Sequence, residues 1–170
     1  MDVKEFSPWV LKLKGTFEKS GQTLGFTESC TGGLLAAAVV AEPGVSSFFK
    51  GAVVSYAGAV KESLLGVPAS VLVQEGEVSL PTVQAMARGG AKALGVDWCV
   101  AVSGVAGPEG GSAEKPVGTV CFAVFGPGFE EQRRQFFSSA GETLTGNARR
   151  EDIQRQSVIF AFDFLLSAVR

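Results

Sequence analysis

Ser29 stands where a short apolar run, Thr23-Leu24-Gly25-Phe26, passes through Thr27-Glu28-Ser29-Cys30-Thr31-Gly32-Gly33 into a helix-like stretch, Leu34 to Ala41. Strand, tight turn and helix in that order present hydroxyls and main-chain N–H groups at a helix N-terminus. The positive end of the helix dipole there favours an anion or a developing oxyanion. Ser29 or Thr31 can serve as a plain N-cap. Gly32-Gly33 add something a cap does not need, room for a second molecule to approach the backbone. Cys30 is the rival nucleophile, but without a histidine to activate it the residue reads as a buried thiol.

The chain contains no histidine. Ser-His-Asp and Cys-His mechanisms are therefore excluded, as is any histidine-ligated metal. Proton transfer falls to Lys, Glu, Asp, Tyr or a terminal amine. Tyr56, the only tyrosine, ends a second strand-like run, and Lys61 follows five residues later. If the two strands are neighbours, Tyr56 and Lys61 share an edge with Ser29. A serine with a lysine is a histidine-free nucleophile pair once desolvation or nearby positive charge frees the amine. The alternative is an exposed lysine in a solvated turn. A second loop contains Ser103, Gly104, Gly107, Gly110, Gly111, Lys115 and Gly118. It matches neither the P-loop nor the dinucleotide fingerprint. It offers unshielded N–H groups beside a lysine, which is either an anion nest or a long plain connection.

These loops need elements to hold them. Residues from about Phe6 to Lys19 place Val10, Leu13 and Phe17 at near-helical spacing. Strand patterns follow at 23–28 and Gly51 to Tyr56, with helices at Thr31 to Ala41 and Val60 to Leu65. Ser79-Leu80-Pro81-Thr82 reads as an N-cap with proline just inside a helix that runs to about Leu94. Asp97 to Ser103 contains an unbroken apolar run suited to a strand buried on both faces. Thr119 to Phe125 and Glu130 to Ser138 form a hairpin across Gly126-Pro127-Gly128, and a last helix covers about Arg150 to Val169. The order is α-β-α-β-α-α-β-β-β-α. It predicts a three-layer α/β/α sandwich around a mixed, mostly parallel sheet of about five strands, because the last strands are joined too tightly for parallel crossovers. Ser138 to Gly146, small and polar, is expected to be a flexible surface insertion.

At 170 residues, 46% apolar and 19% charged, the chain is expected to form one domain spanning 1–170. A net charge of -2 without any basic run argues against a nucleic-acid partner. No apolar stretch reaches the ~18 residues of a membrane span, and Met1-Asp2-Val3-Lys4-Glu5 is not a signal peptide. Cys30, Cys99 and Cys121 are scattered and odd in number, which reads as reduced thiols in the cytoplasm.

In their joint order these blocks resemble the CinA C-terminal domain family, whose enzymatic members are nicotinamide-nucleotide amidohydrolases. The resemblance is carried by Thr27 to Gly33, Ser55-Tyr56, Lys61, Leu65-Gly66-Val67 and Gly76-Glu77-Val78-Ser79. Ser103-Gly104-Val105-Ala106-Gly107-Pro108-Glu109-Gly110-Gly111 and Glu114-Lys115-Pro116-Val117-Gly118-Thr119 complete it. It implies hydrolysis of the nicotinamide amide of a small nucleotide to a carboxylate, with ammonia released and neither cofactor nor metal. It implies Ser29 as nucleophile, Lys61 as base and Tyr56 as a supporting hydroxyl. Glu28, Cys30, Thr31, Gly32 and Gly33, with Ser103, Gly104, Gly107, Gly110, Gly111 and Lys115, would bind the substrate. A cytoplasmic homo-oligomer is expected. Two segments depart from the family pattern. Ala57-Gly58-Ala59-Val60 replace Ser-Asn-Glu-Ala before the lysine, and Gly146-Asn147-Ala148-Arg149-Arg150 blur a Gly-Asp-Arg motif. The alternative expectation is therefore a catalytically silent nucleotide- or partner-binding paralogue.

Overall fold

The computed structural model describes residues 2–138 and 145–169. Helices α1 (Ser7–Ser20), α2 (Leu34–Val40), α3 (Gly58–Leu65), α4 (Ala69–Glu75), α5 (Leu80–Leu94) and α6 (Gly146–Ala168) alternate with strands. The strands are β1 (Leu24–Glu28), β2 (Phe49–Val54), β3 (Trp98–Gly104), β4 (Thr119–Gly126) and β5 (Phe129–Phe136). They form one open sheet in the order β2-β1-β3-β4-β5. β1 pairs in parallel with β2 and β3, whereas β4 is antiparallel to both β3 and β5. The mixed three-layer architecture expected from the order of elements is the one observed.

Alternation along the strands separates two unlike faces. Leu24, Phe26, Val100, Val102, Val120, Phe122 and Val124 join the core beneath α1, α2 and α6. Aromatic rings fill this side: Phe26 lies 5.2 Å from Phe49 and 6.3 Å from Phe162, and Phe122 lies 4.6 Å from Phe160. The intervening residues are small, with Ala101, Cys121 and Ala123 packed beneath α5 together with Val83, Met86 and Ala87. Small side chains let α5 lie close to the sheet. A Cβ on Gly90 would stand 2.2 Å from Thr27 Cγ2 and 2.7 Å from Cys99 Sγ. Crowding of that kind forces backbone shifts.

Several boundaries differ from the sequence reading. α2 begins at Leu34 rather than Thr31, because Gly32 and Gly33 take positive φ (62° and 98°) and complete a turn first. β2 ends at Val54, so Tyr56 lies beyond the strand rather than at its end. α4 is an additional helix. It buries none of its residues, so it leaves no apolar periodicity to read. α6 starts at Gly146, a turn earlier than expected. The expected insertion after Ser138 lies, at 139–144, outside the described residues.

The strand order also fixes where a ligand can sit. β2 and β3 flank β1 on opposite sides, with α2 on one face of the sheet and α3, α4 and α5 toward the other. Successive parallel strands are thus added first on one side of β1 and then on the other, and the crevice at the carboxyl ends of the strands at such a switch point is the general ligand position in open α/β sheets. Register brings Glu28 level with Val54 and Val102, so the loops after β1, β2 and β3 meet at one edge.

Candidate active site

Ser29 follows directly on β1 and is 7% exposed. Its N–H donates to Val102 O at 3.0 Å, tying the turn to β3. Lys61 comes from α3 and is 0% exposed. Its Nζ lies among four oxygens: Ser55 O and Tyr56 O at 2.9 Å, Glu77 Oε2 at 3.0 Å and Ser29 Oγ at 3.2 Å. The buried serine–lysine pair expected from the sequence is therefore assembled, and the solvated-turn alternative for Lys61 is excluded. An ammonium has only three N–H bonds. With four oxygens around three sites on the nitrogen, one contact is left over whether Lys61 is charged or neutral. A neutral amine donates twice and turns its lone pair toward one neighbour, and Ser29 is the hydroxyl able to donate to it.

Glu28 departs from its expected role. Its side chain is buried and folds back onto the start of α2. Oε2 accepts from Thr31 Oγ1 at 2.8 Å, Gly33 N at 3.0 Å and Leu35 N at 3.2 Å, and Oε1 accepts from Ala36 N at 3.0 Å. Burial pushes its carboxyl above the ordinary value, while the donors from Ala36, Thr31, Leu35 and Gly33 pull it back. Gly33 gives α2 no side-chain cap, so Glu28 caps the helix from the end of β1. The anion at this helix terminus is thus the protein's own, and Glu28 is removed from the set facing a substrate. Gly32 N is also taken, by Ser29 O at 3.1 Å. Among the described residues, the N–H groups of Cys30 and Thr31 carry no main-chain acceptor, and they lie next to Ser29.

A cleft of about 200 Å³ opens beside the pair, lined by Cys30, Tyr56, Gly104, Gly107, Gly110 and Arg150 among others. A second of about 370 Å³, on the Thr31-Gly32-Gly33 side, reaches Gln154. A larger groove of about 620 Å³ lies between α3 and α5, away from Ser29. Tyr56 is 62% exposed, and the contact recorded with Lys61 is made by its carbonyl rather than its hydroxyl. Ser103 is buried and donates to Glu77 O at 2.8 Å, so it holds the backbone rather than facing the cleft. Lys115 donates to Glu75 O at 2.7 Å and does not line the cleft, nor does Gly111.

Three residues outside the expected site complete it. Arg150 Nη1 donates to Gly107 O at 2.6 Å and supplies the cation at the cleft. Gln154 Nε2 donates to Cys30 O at 2.8 Å, so α6 holds both loops at once. Glu77 is the carboxylate against Lys61. The sequence signal for Arg150 is the blurred arginine motif, and that for Glu77 the Gly76-Glu77-Val78-Ser79 block. Among the described residues no group of three or more His, Cys, Asp or Glu side chains is placed to hold a metal ion. No helix among them is long and apolar enough to cross a membrane.

An open mixed sheet with a buried serine–lysine pair at the carboxyl edge of its parallel strands is the class these features define. The chain belongs to the CinA C-terminal domain family, which matches residues 9–169. It is 50% identical over 149 residues to a CinA-like protein of Parasynechococcus marenigrum (strain WH8102), covering 87% of this chain and 34% of the relative. A CinA-like protein of Fervidobacterium nodosum is 43% identical over 165 residues, covering 97% and 38%. The chain thus spans about a third of the length of the curated relatives it matches. Among solved structures, competence/damage inducible protein CihA from Agrobacterium tumefaciens superposes with a TM-score of 0.87 at 32% identity, covering 98% of this chain and 95% of that one. Competence damage-inducible protein A from Klebsiella pneumoniae gives 0.85 at 33% identity, covering 98% and 96%.

Proposed function

We propose that this domain is an amidohydrolase that converts nicotinamide mononucleotide to nicotinate mononucleotide and ammonia through an acyl-enzyme on Ser29. The observation that carries the reading is Lys61 Nζ, wholly buried and 3.2 Å from Ser29 Oγ, with Cys30, the next residue after Ser29, lining the glycine-bearing cleft. In this reading the neutral Lys61 amine takes the Ser29 proton as Oγ attacks the amide carbon. The oxyanion meets the N–H groups of Cys30 and Thr31. Lys61 returns the proton to the departing nitrogen, and ammonia leaves. Water, deprotonated by the same amine, then releases the carboxylate and restores Ser29. Arg150 and the main-chain N–H groups around Gly107 and Gly110 suit the nucleotide phosphate.

One observation favours the second reading, a silent nucleotide- or partner-binding paralogue. Ser55 O, Tyr56 O and Glu77 together satisfy all three N–H bonds of a charged Lys61. Incubation with nicotinamide mononucleotide separates the two. The amidohydrolase releases one ammonia per nicotinate mononucleotide formed. Nucleotide binding without any turnover between roughly pH 6 and 10 would identify the silent paralogue.

A further inference from the structure

We propose that Glu77 is a positioning residue for Lys61 and its proton outlet to solvent, an inference that rests on the serine–lysine reading above. Lys61 is wholly enclosed, whereas the Glu77 side chain is 49% exposed. Of the four oxygens around Nζ, two are main-chain carbonyls, which carry no proton, and one belongs to the nucleophile. Glu77 is the remaining one, and the only one of the four that both accepts a proton from the amine and meets water.

The local structure holds the backbone that carries this carboxylate. Ser103 Oγ, at the end of β3, donates to Glu77 O at 2.8 Å. The preceding carbonyl, Gly76 O, accepts from Thr82 Oγ1 at 2.7 Å and Ser79 Oγ at 3.1 Å, both from the start of α5. Position 58, which has no side chain, lies against the other oxygen of the Glu77 carboxylate. A Cβ on Gly58 would stand 3.0 Å from Glu77 Oε1. Any larger residue at 58 competes with the carboxylate for that space, so Gly58 and Glu77 work as a pair. The loss of polar side chains at 58 and 59 is thereby offset by a carboxylate arriving from another loop.

The priming step is a proton transfer with no other bond change. For Lys61 to act as a base its ammonium proton must leave, and the Glu77 carboxylate, the half-exposed contact of the four, carries that proton to water. The freed lone pair then faces the Ser29 hydroxyl. Glu77 touches neither substrate nor the reacting carbon, so its effect reaches the reaction through Lys61 alone.

The test compares wild type with Glu77→Gln and Glu77→Ala, using two readouts. The first is ammonia release from nicotinamide mononucleotide, as kcat and KM across pH. The second is acetylation of Ser29 by p-nitrophenyl acetate, followed by intact mass, which needs no natural substrate. Both variants should lose roughly 10²-fold in kcat with KM nearly unchanged, since a proton carrier is removed and binding groups are not. Added formate should restore Glu77→Ala in a concentration-dependent way, because a small acid can enter the vacated, half-exposed position. It should leave Glu77→Gln unrestored. Wild-type kcat in Glu77→Ala, or a loss that formate does not reverse while the variant still binds the nucleotide, overturns the proposal. If wild type releases no ammonia but Ser29 acetylation keeps the same Glu77 dependence and formate rescue, the substrate reading falls and the outlet stands. A wild-type Ser29 that neither acetylates nor turns over nucleotide overturns both.

Discussion

Around Lys61 the polar atoms are held from several directions at once: two carbonyls from just past β2, a carboxylate from the loop before α5 and the hydroxyl after β1. Along the same sheet edge, the loop from Gly104 to Gly118 is organised differently. It closes on itself through Val105 N to Thr119 O and Gly118 N to Val105 O, both 2.8 Å, and leaves Glu109 and Gly110 exposed between. Among the described residues, the N–H groups of Gly107, Gly110 and Gly111 find no main-chain acceptor. One region is buried and fixed before any ligand arrives, and the other presents backbone to solvent with one arginine pinned at its edge. Fixed, desolvated groups act on charge that develops during a reaction. Open N–H groups and a cation suit charge that is already present on a ligand. In the proposed function the difference divides the edge into a part for chemistry and a part for recognition.

The largest effect that can break this division comes from the fixed region. Ser29→Ala and Lys61→Ala should each lower kcat by at least ~10³-fold, because groups that act as a unit fail together. Nucleotide binding, read by calorimetry, should stay within about tenfold for both. An alanine at 29 that keeps most of the wild-type rate would end the covalent-serine reading. A smaller effect of opposite kind is expected from the open region. Arg150→Ala should raise KM for nicotinamide mononucleotide by roughly ten- to a hundredfold with little change in kcat, the range of a lost charge-assisted hydrogen bond. The dephosphorylated riboside should be indifferent to that substitution. Equal sensitivity of both substrates would take the phosphate away from Arg150.

How far each region was legible follows from the range of the interactions that build it. Strands showed because a short apolar run is a local signal, as in the unbroken stretch from Trp98 to Val102, although the run alone does not say that Val100 and Val102 face one way and Ala101 the other. The antiparallel end showed because Gly126-Pro127-Gly128 leaves no length for a crossover. Ser29 and Lys61 could be joined in advance, since each lies just past the carboxyl end of a strand and neighbouring parallel strands finish together. Glu77 could not. Its reach to Lys61 depends on where the α4–α5 loop comes down and on the missing side chain at 58, neither of which has a local pattern. Glu28 misled for a related reason. A carboxylate in a loop motif looks available for a ligand until a helix lacking its own cap is seen to claim it.

The smallest effect concerns Cys30, which borders both regions. The residue lines the cleft and its carbonyl accepts from Gln154, yet it is 4% exposed and belongs to the buried core. Burial pushes its thiol from the ordinary 9.0 up to about 12, opposed by a hydrogen bond from its own main chain, while the nearby Glu28 charge adds to the rise and Arg150 and Lys61 counter it. The thiol is therefore protonated in the folded protein at neutral pH and is a poor nucleophile. Cys30→Ala should leave kcat within about twofold of wild type, as expected for a thiol that behaves as a small apolar group. Iodoacetamide at pH 8 should label Cys30 only after denaturant is added, read by peptide mass. The sign of the pH effect follows from the raised folded-state value. The stabilising contribution is complete below the unfolded thiol's ordinary 9.0 and is lost as pH rises toward about 12. Denaturation midpoints should therefore fall above pH 9, and fall less steeply in Cys30→Ala. Rapid labelling of the native protein at pH 8, with loss of activity, would instead make Cys30 part of the chemistry and move the boundary between the two regions.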